Sequence, residues 1–239
     1  DNLTLLGGVS RGVLYATDQF LDSLNIDKDG FTIKKGTVLE EPTFPTRVIM
    51  HHWDPEFATT EPEIMSRYRF NGCVMMGIES VEAVLLKDSF PKVYRLLENK
   101  ARAQRLKRRE GIRAKKLETI HQNFDIDFYI YLAMGIPYAL REAVYKNYPE
   151  IKGIDHPDSY EKAHICPSHP TSWKIWRAVV QEVIEMYPGA TGVYMDIMHN
   201  GYGIYCQCER CRSMGLNEFP TEIRKALLET HKVLKKQGK

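Results

Sequence analysis

Nowhere in these 239 residues is there an unbroken apolar run of about 18 residues, so no segment is long enough to cross a bilayer as a helix, and no membrane partner is expected. The opening DNLTLLGGVSRG lacks the basic and then apolar layout of a secretion signal, and a soluble chain is expected. It also lacks an initial Met, so a leader or a longer N-terminal part is expected to have preceded Asp1. A charge excess is missing too. The 33 Lys and Arg against 31 Asp and Glu leave +2, which offers no overall field to a nucleic acid or an anionic surface. Cysteine is scarce, five in all and clustered, which argues against a disulfide scaffold in a chain this long and leaves the compartment open. No Gly-rich phosphate turn, internal repeat or low-complexity linker is present.

What is present suffices for a sizeable core: 43% of residues are hydrophobic and 10% aromatic. RGVLYATDQFLDSLNI sets Val13, Leu14, Ala16, Phe20, Leu21 and Leu24 at helical spacing, and FTIKKGTVLEEPTFP reads as a short hairpin with a proline-marked exit. RVIMHHWD, GCVMMGIE, FDIDFYIYLAMG and TGVYMDIMHN read as mostly apolar strands. Helical segments fall between them: EPEIMSRYRFN, a long basic helix from about Pro91 to Asn123, and TSWKIWRAVVQEVIEMYPG with a hydroxyl N-cap and a Pro-Gly stop. A last helix is expected from about Pro220 to Lys236. Nearly all-apolar strands alternating with helices predict an α/β fold: a partial (β/α)8, TIM-like barrel of about four βα units at residues 47–239. Residues 1–46 are expected to be the C-terminal part of a small α/β domain.

The cysteines carry the sharpest local signal. IYCQCERC brings Cys206, Cys208 and Cys211 into six residues, and Cys166 in HICPSHP is the obvious fourth, with His164 and His169 in reserve. Tetrahedral zinc takes four such ligands, so the pattern predicts a structural zinc site pinning two loops; a Cys166–Cys208 disulfide or free thiols are the alternatives. Four thiolates leave no open position for water, so this metal would brace and not catalyse. Cys73, inside an apolar strand, is expected to be an ordinary core residue.

Barrel chemistry sits at the C-terminal ends of strands. Those ends carry His51, His52, Trp53, Asp54, Glu79, Tyr138, Asp196, His199, Asn200 and Tyr202, a set of aromatics, carboxylates, histidines and an amide suited to a sugar cleft. His51 and His52 alternate in an extended strand, so at most one of them faces that cleft. The blander alternatives are Asp196 as a core carboxylate held by Arg47, Asp54 as a turn cap and Glu79 as a helix-start residue. ENKARAQRLKRREGIRAKK is basic, yet Leu106, Ile112, Leu117 and Ile120 give it an apolar side and no aromatic is interleaved to stack on bases, so a solvated barrel helix and no nucleic-acid partner are expected.

SRGVLYATDQFLDSL, a hairpin and EEPTFPTRVIMHHW together resemble the end of the small α/β domain and the lead-in to the catalytic barrel of glycoside hydrolases of the α-glucuronidase and β-hexosaminidase type. ICPSHPTSWKIWRAVVQEVIEMYPGATGVYMDIMHNGYGIYCQCERC is similar to a group of poorly characterised barrel proteins with a CPSxP loop and a CxCxxC cluster. The resemblance implies a glycoside hydrolase, or a fragment of one, acting on a uronic-acid or amino-sugar glycan. His199 and Asn200 stand where hexosaminidases carry an Asp-Glu pair, and Asp196 is the nearest carboxylate. Glycoside hydrolysis uses two carboxyl groups, which in this chain would be Asp196 with Asp54 or Glu79. Trp53 or Tyr202 would stack on the sugar, and His52, His199 and Asn200 would bind hydroxyls. The alternative is a non-catalytic, zinc-braced carbohydrate-binding or assembly module. Because four βα units make only half a barrel, the rest is expected from a missing C-terminal half, another chain or a homo-oligomer.

Overall fold

The structure is a computed structural model and describes residues 10–33, 36–37, 44–52, 61–76, 81–133, 135–154, 165–196, 206–215 and 219–238. It begins with helix α1 (Ser10–Asp22) and an antiparallel hairpin, β1 (Leu24–Asp27) and β2 (Gly30–Ile33), in which Leu24 pairs with Ile33 and Asp27 with Gly30. The hairpin therefore comes earlier than its expected place after Phe31, and Leu24 starts a strand instead of ending a helix. The turn explains it: Asp27 Oδ1 accepts a hydrogen bond from Asp29 N at 2.9 Å, and Gly30 takes the positive φ of 141° that the reversal needs.

Four strands follow, β3 (Val48–His52), β4 (Gly72–Met76), β5 (Asp127–Ala133) and β6 (Gly192–Asp196), all parallel and in the order β3-β4-β5-β6. Helix α2 (Glu61–Arg67) connects the first two. The long basic helix expected between β4 and β5 is two helices, α3 (Pro91–Leu96) and α4 (Lys100–Phe124), because buried Leu97 leaves the helix in an extended conformation (φ −64°, ψ 122°). Between β5 and β6 lie α5 (Tyr138–Asn147), a 3₁₀ turn (Pro149–Ile151) and α6 (Pro170–Met186). Sequence reading missed α5, whose short stripe of Leu140, Ala143 and Val144 is nonetheless fully buried. After β6 come α7 (Glu209–Ser213) and α8 (Phe219–Lys236). Parallel strands linked through helices are consistent with part of a (β/α) barrel.

Strand alternation gives the sheet two faces. Met75, Phe128, Ile130 and Leu132 point into the core formed with Trp176, Val179, Val180 and Val183 of α6, Leu117 of α4 and Val144 of α5. The opposite row holds Val48, Gly72, Val74, Tyr129, Tyr131, Gly192, Tyr194 and Asp196. Gly72 is there for space: a Cβ would sit 2.9 Å from Val48 Cγ2 and 3.2 Å from the Tyr129 ring. On α4, Leu106, Leu117 and Ile120 pack inward as expected, but Ile112 is 63% exposed. The inward positions on either side of it belong to Glu110 and Arg113, a buried ion pair at 3.2 Å whose carboxylate also accepts from Tyr187 OH.

Helix α1 attaches to the N-terminal end of the sheet through polar contacts. Arg11 donates to Asp125 O at 2.6 Å and pairs with Asp127 at 3.3 Å, while Ser66 donates to Asp18 at 3.3 Å.

Candidate functional site

The parallel register brings the last residues of the four strands, His52, Met76, Ala133 and Asp196, to one end of the sheet. Trp53, Asp54, Glu79, His199, Asn200 and Tyr202 lie outside the described residues, as do the side chains of His51 and His52. In the register His51 pairs with Met75 and His52 with Met76, so the two stand in opposite rows.

Asp196 closes β6, and its described partner is Tyr131 of β5, whose hydroxyl donates to Asp196 Oδ2. Arg47 is not that partner. It precedes β3 at the far end of the sheet, where it donates to Arg69 O at 2.6 Å. Tyr131 is 5% exposed and stacks on Tyr194 across the strand pair, with ring centres 6.2 Å apart and planes 19° from parallel. Burial, then the hydrogen bond to Asp196 and its negative charge, push the Tyr131 hydroxyl well above the usual phenol value, so it remains a donor at ordinary pH. Sequence reading took FYIYLA as apolar and passed over this pair. The available signal was tyrosine at alternate positions of a buried strand, where each hydroxyl needs a partner. Tyr138, expected in the same cup, begins α5 and is 83% exposed beneath the Arg141 guanidinium at 5.6 Å. A cleft of about 430 Å³ between α5 and the α3–α4 junction includes Tyr138 but neither Asp196 nor the cysteines.

The second constellation gathers four sulfurs. The Sγ atoms of Cys166, Cys206, Cys208 and Cys211 all lie within 4.8 Å of one another, Cys166 being 3.5 Å from Cys211 and 3.7 Å from Cys208. Ligands about 2.3 Å from a tetrahedral zinc are roughly 3.8 Å apart, so the spacing fits the ion. It is far too long for the Cys166–Cys208 disulfide, and none of the four is joined in a disulfide. Cys73 is also free, buried against Met65 and Ile126 as a core residue.

Local structure explains the convergence. Cys166 N donates to Ile151 O at 2.7 Å, Gln207 N to Ile154 O at 2.7 Å, and Ser172 Oγ to Cys166 O at 2.6 Å, which ties three chain segments together at the start of α6. Ile154 N donates to Cys206 Sγ, a bond that favours the Cys206 thiolate, and Cys211 N donates to Cys208 Sγ, each at 3.3 Å. The hydrogen bond with Cys206, helped by Ser168 and Cys211, pulls the Cys166 thiol down to about 4 despite its burial. The same pairing pushes Cys206 up, and burial pushes Cys211 up to about 11. Three buried sulfurs and a half-buried fourth are thus crowded together, and a dication would supply the positive charge that holds such a set as thiolates. His169 is not drawn into the cluster. It caps α6, its Nδ1 accepting from Thr171 N at 3.3 Å in place of the expected hydroxyl, and His164 lies outside the described residues.

No protein-family model matches the sequence, and no curated protein does. Among solved structures, the chain is similar to the GH20 exo-β-N-acetylglucosaminidase of Vibrio harveyi in complex with N-acetylglucosamine, at 14% identity and a TM-score of 0.56 over 98% of this chain and 40% of that one. An inactive mutant of the Vibrio harveyi enzyme gives 14% identity and 0.55 over 95% of this chain and 40% of that one. The chitobiase of Flavobacterium johnsoniae gives 15% and 0.56 over 95% of this chain and 35% of that one. The chain therefore spans two fifths or less of the length of these structures, and what it shares with them is a glycoside-hydrolase-like fold.

Proposed function

We propose that the protein is a glycoside hydrolase, or part of one, that acts on an amino-sugar or uronic-acid glycan with Asp196 as a catalytic or sugar-orienting carboxylate. The observation that carries this reading is Asp196 itself, the last residue of a parallel strand, engaged by a buried tyrosine in a fold shared with GH20 enzymes. N-acetylglucosamine bound to the Vibrio harveyi neighbour supports the amino-sugar choice. Hydrolysis needs a second carboxyl group across the scissile bond, a part that falls to Asp54 or Glu79. Trp53 or Tyr202 offers a stacking surface, and His52, His199 and Asn200 bind hydroxyls. In this reading residues 1–46 are the C-terminal part of a small α/β domain and 47–239 the first half of a (β/α) barrel.

Cys166, Cys206, Cys208 and Cys211 would hold a structural zinc, which would supply a crosslink between the segments before α6 and after β6. The test of function is turnover of aryl N-acetylglucosaminides and aryl glucuronides by the protein and by Asp196→Asn. A loss of at least about 100-fold in kcat is expected for a group acting in the transition state. Unchanged turnover would remove Asp196 from the mechanism.

A further inference from the structure

The face of the sheet away from the helices carries a tyrosine pair directly below Asp196. Tyr131 pairs in register with Tyr194, and Asp196 follows two residues along β6, so the phenol runs diagonally up the sheet to the carboxylate. Three constraints fix that phenol. The residue is buried, its ring stacks on Tyr194, and its hydroxyl donates to Oδ2 of Asp196. Phenylalanine would meet the same burial and the same ring stacking, so neither of these calls for a hydroxyl. The hydroxyl is explained by the carboxylate it holds: a carboxylate at a strand end rotates about its side-chain bonds, and a donor on a rigid ring selects one orientation.

We propose that Tyr131 is the positioning residue for Asp196, fixing the carboxylate toward the mouth at the C-terminal strand ends. This rests on the reading of Asp196 as the acting carboxylate and adds to it the group that orients it. Tyr194 is the support of that support: its ring limits where the Tyr131 ring can swing, although it is itself 41% exposed.

The experiment compares the protein with Tyr131→Phe, Asp196→Asn and the double variant, measuring kcat and KM on an aryl N-acetylglucosaminide, N-acetylglucosamine binding by calorimetry, and the thermal midpoint. Removing one hydrogen bond to a charged group from a transition-state constellation is expected to lower kcat about 10- to 100-fold with KM changed less than about threefold. On the Asp196→Asn background the same change should cost little more, because the two act as a unit. Tyr194→Leu, which leaves the hydroxyl in place but frees the ring, should lower kcat several-fold and serves if Tyr131→Phe folds poorly. A merely structural tyrosine would lower the thermal midpoint and leave kcat per folded molecule unchanged; that result, in an active wild type, overturns the proposal alone. A wild type that cleaves neither an aryl N-acetylglucosaminide nor an aryl glucuronide and binds neither sugar overturns the functional reading, and the proposal falls with it.

Discussion

Replacing Cys211 by serine is the most informative perturbation of the proposed metal site, because Cys211 is wholly buried and its sulfur lies 3.5 Å from that of Cys166. The substitution keeps the volume nearly constant and removes one thiolate from a set of four, so the change reports on the metal more than on packing. The size of the effect follows from mass action. If zinc is present at about 1,000 times its dissociation constant and binds only the folded chain, it contributes about 4 kcal/mol to stability. In a domain of this size each kcal/mol moves the thermal midpoint by about 2–4 °C, which gives a drop of roughly 8–16 °C on losing the ion. The protein should copurify with one zinc per chain, lose it to a strong chelator with that fall in midpoint, and regain both on readdition. Cys211→Ser should carry little zinc and show little response to chelator. A wild type free of zinc, or a chelator response equal in Cys211→Ser, would refute the tetrathiolate reading.

Two further outcomes are expected. Trp176 is 1% exposed and its Nε1 donates to Thr230 Oγ1 at 3.0 Å, so Trp176→Ala should cost about 3–5 kcal/mol, read as a lower urea midpoint with little change in slope; a cost below about 1 kcal/mol would show that α6 does not anchor the core. Burial alone would raise the Glu229 carboxyl, but Lys232, 2.7 Å away, and Arg177 outweigh it and hold it below the usual carboxylate value. Its contribution to stability is therefore complete above about pH 4.3 and is lost as pH falls below that, through the depressed folded value. Glu229→Gln should flatten the acid limb of stability against pH, and an unaltered limb would contradict the assignment.

The alternation of strands and helices was legible because apolar runs such as DFYIYLA and GVYMD are long relative to their neighbours, and buried parallel strands impose that pattern. The cysteine set was legible because three ligands fall in one short loop. What the sequence hid depended on tertiary partners. Ile112 looks inward from spacing alone, but the buried Glu110 and Arg113 claim the core side of α4 once Tyr187 is there to receive them. The break at Leu97 carries no Gly or Pro signal, since the residue leaves the helix to fill the core. The pairing of Tyr131 with Asp196 joins residues 65 apart through strand register, which periodicity within either strand does not encode.

Among the described residues the outer strands of the parallel sheet, β3 and β6, each have a neighbour on one side only, and Val48, Met50 and Tyr194 lie partly in solvent beside those margins. Such a border is adhesive, since its backbone can accept an additional strand from any source. Material limited to these residues would therefore scatter light increasingly as it is concentrated, and would occupy chaperones in a cell until the border is covered. A charged side chain there, for instance Met50→Lys, would act as a repellent and prolong the monomeric lifetime without touching Asp196 or the sulfur cluster.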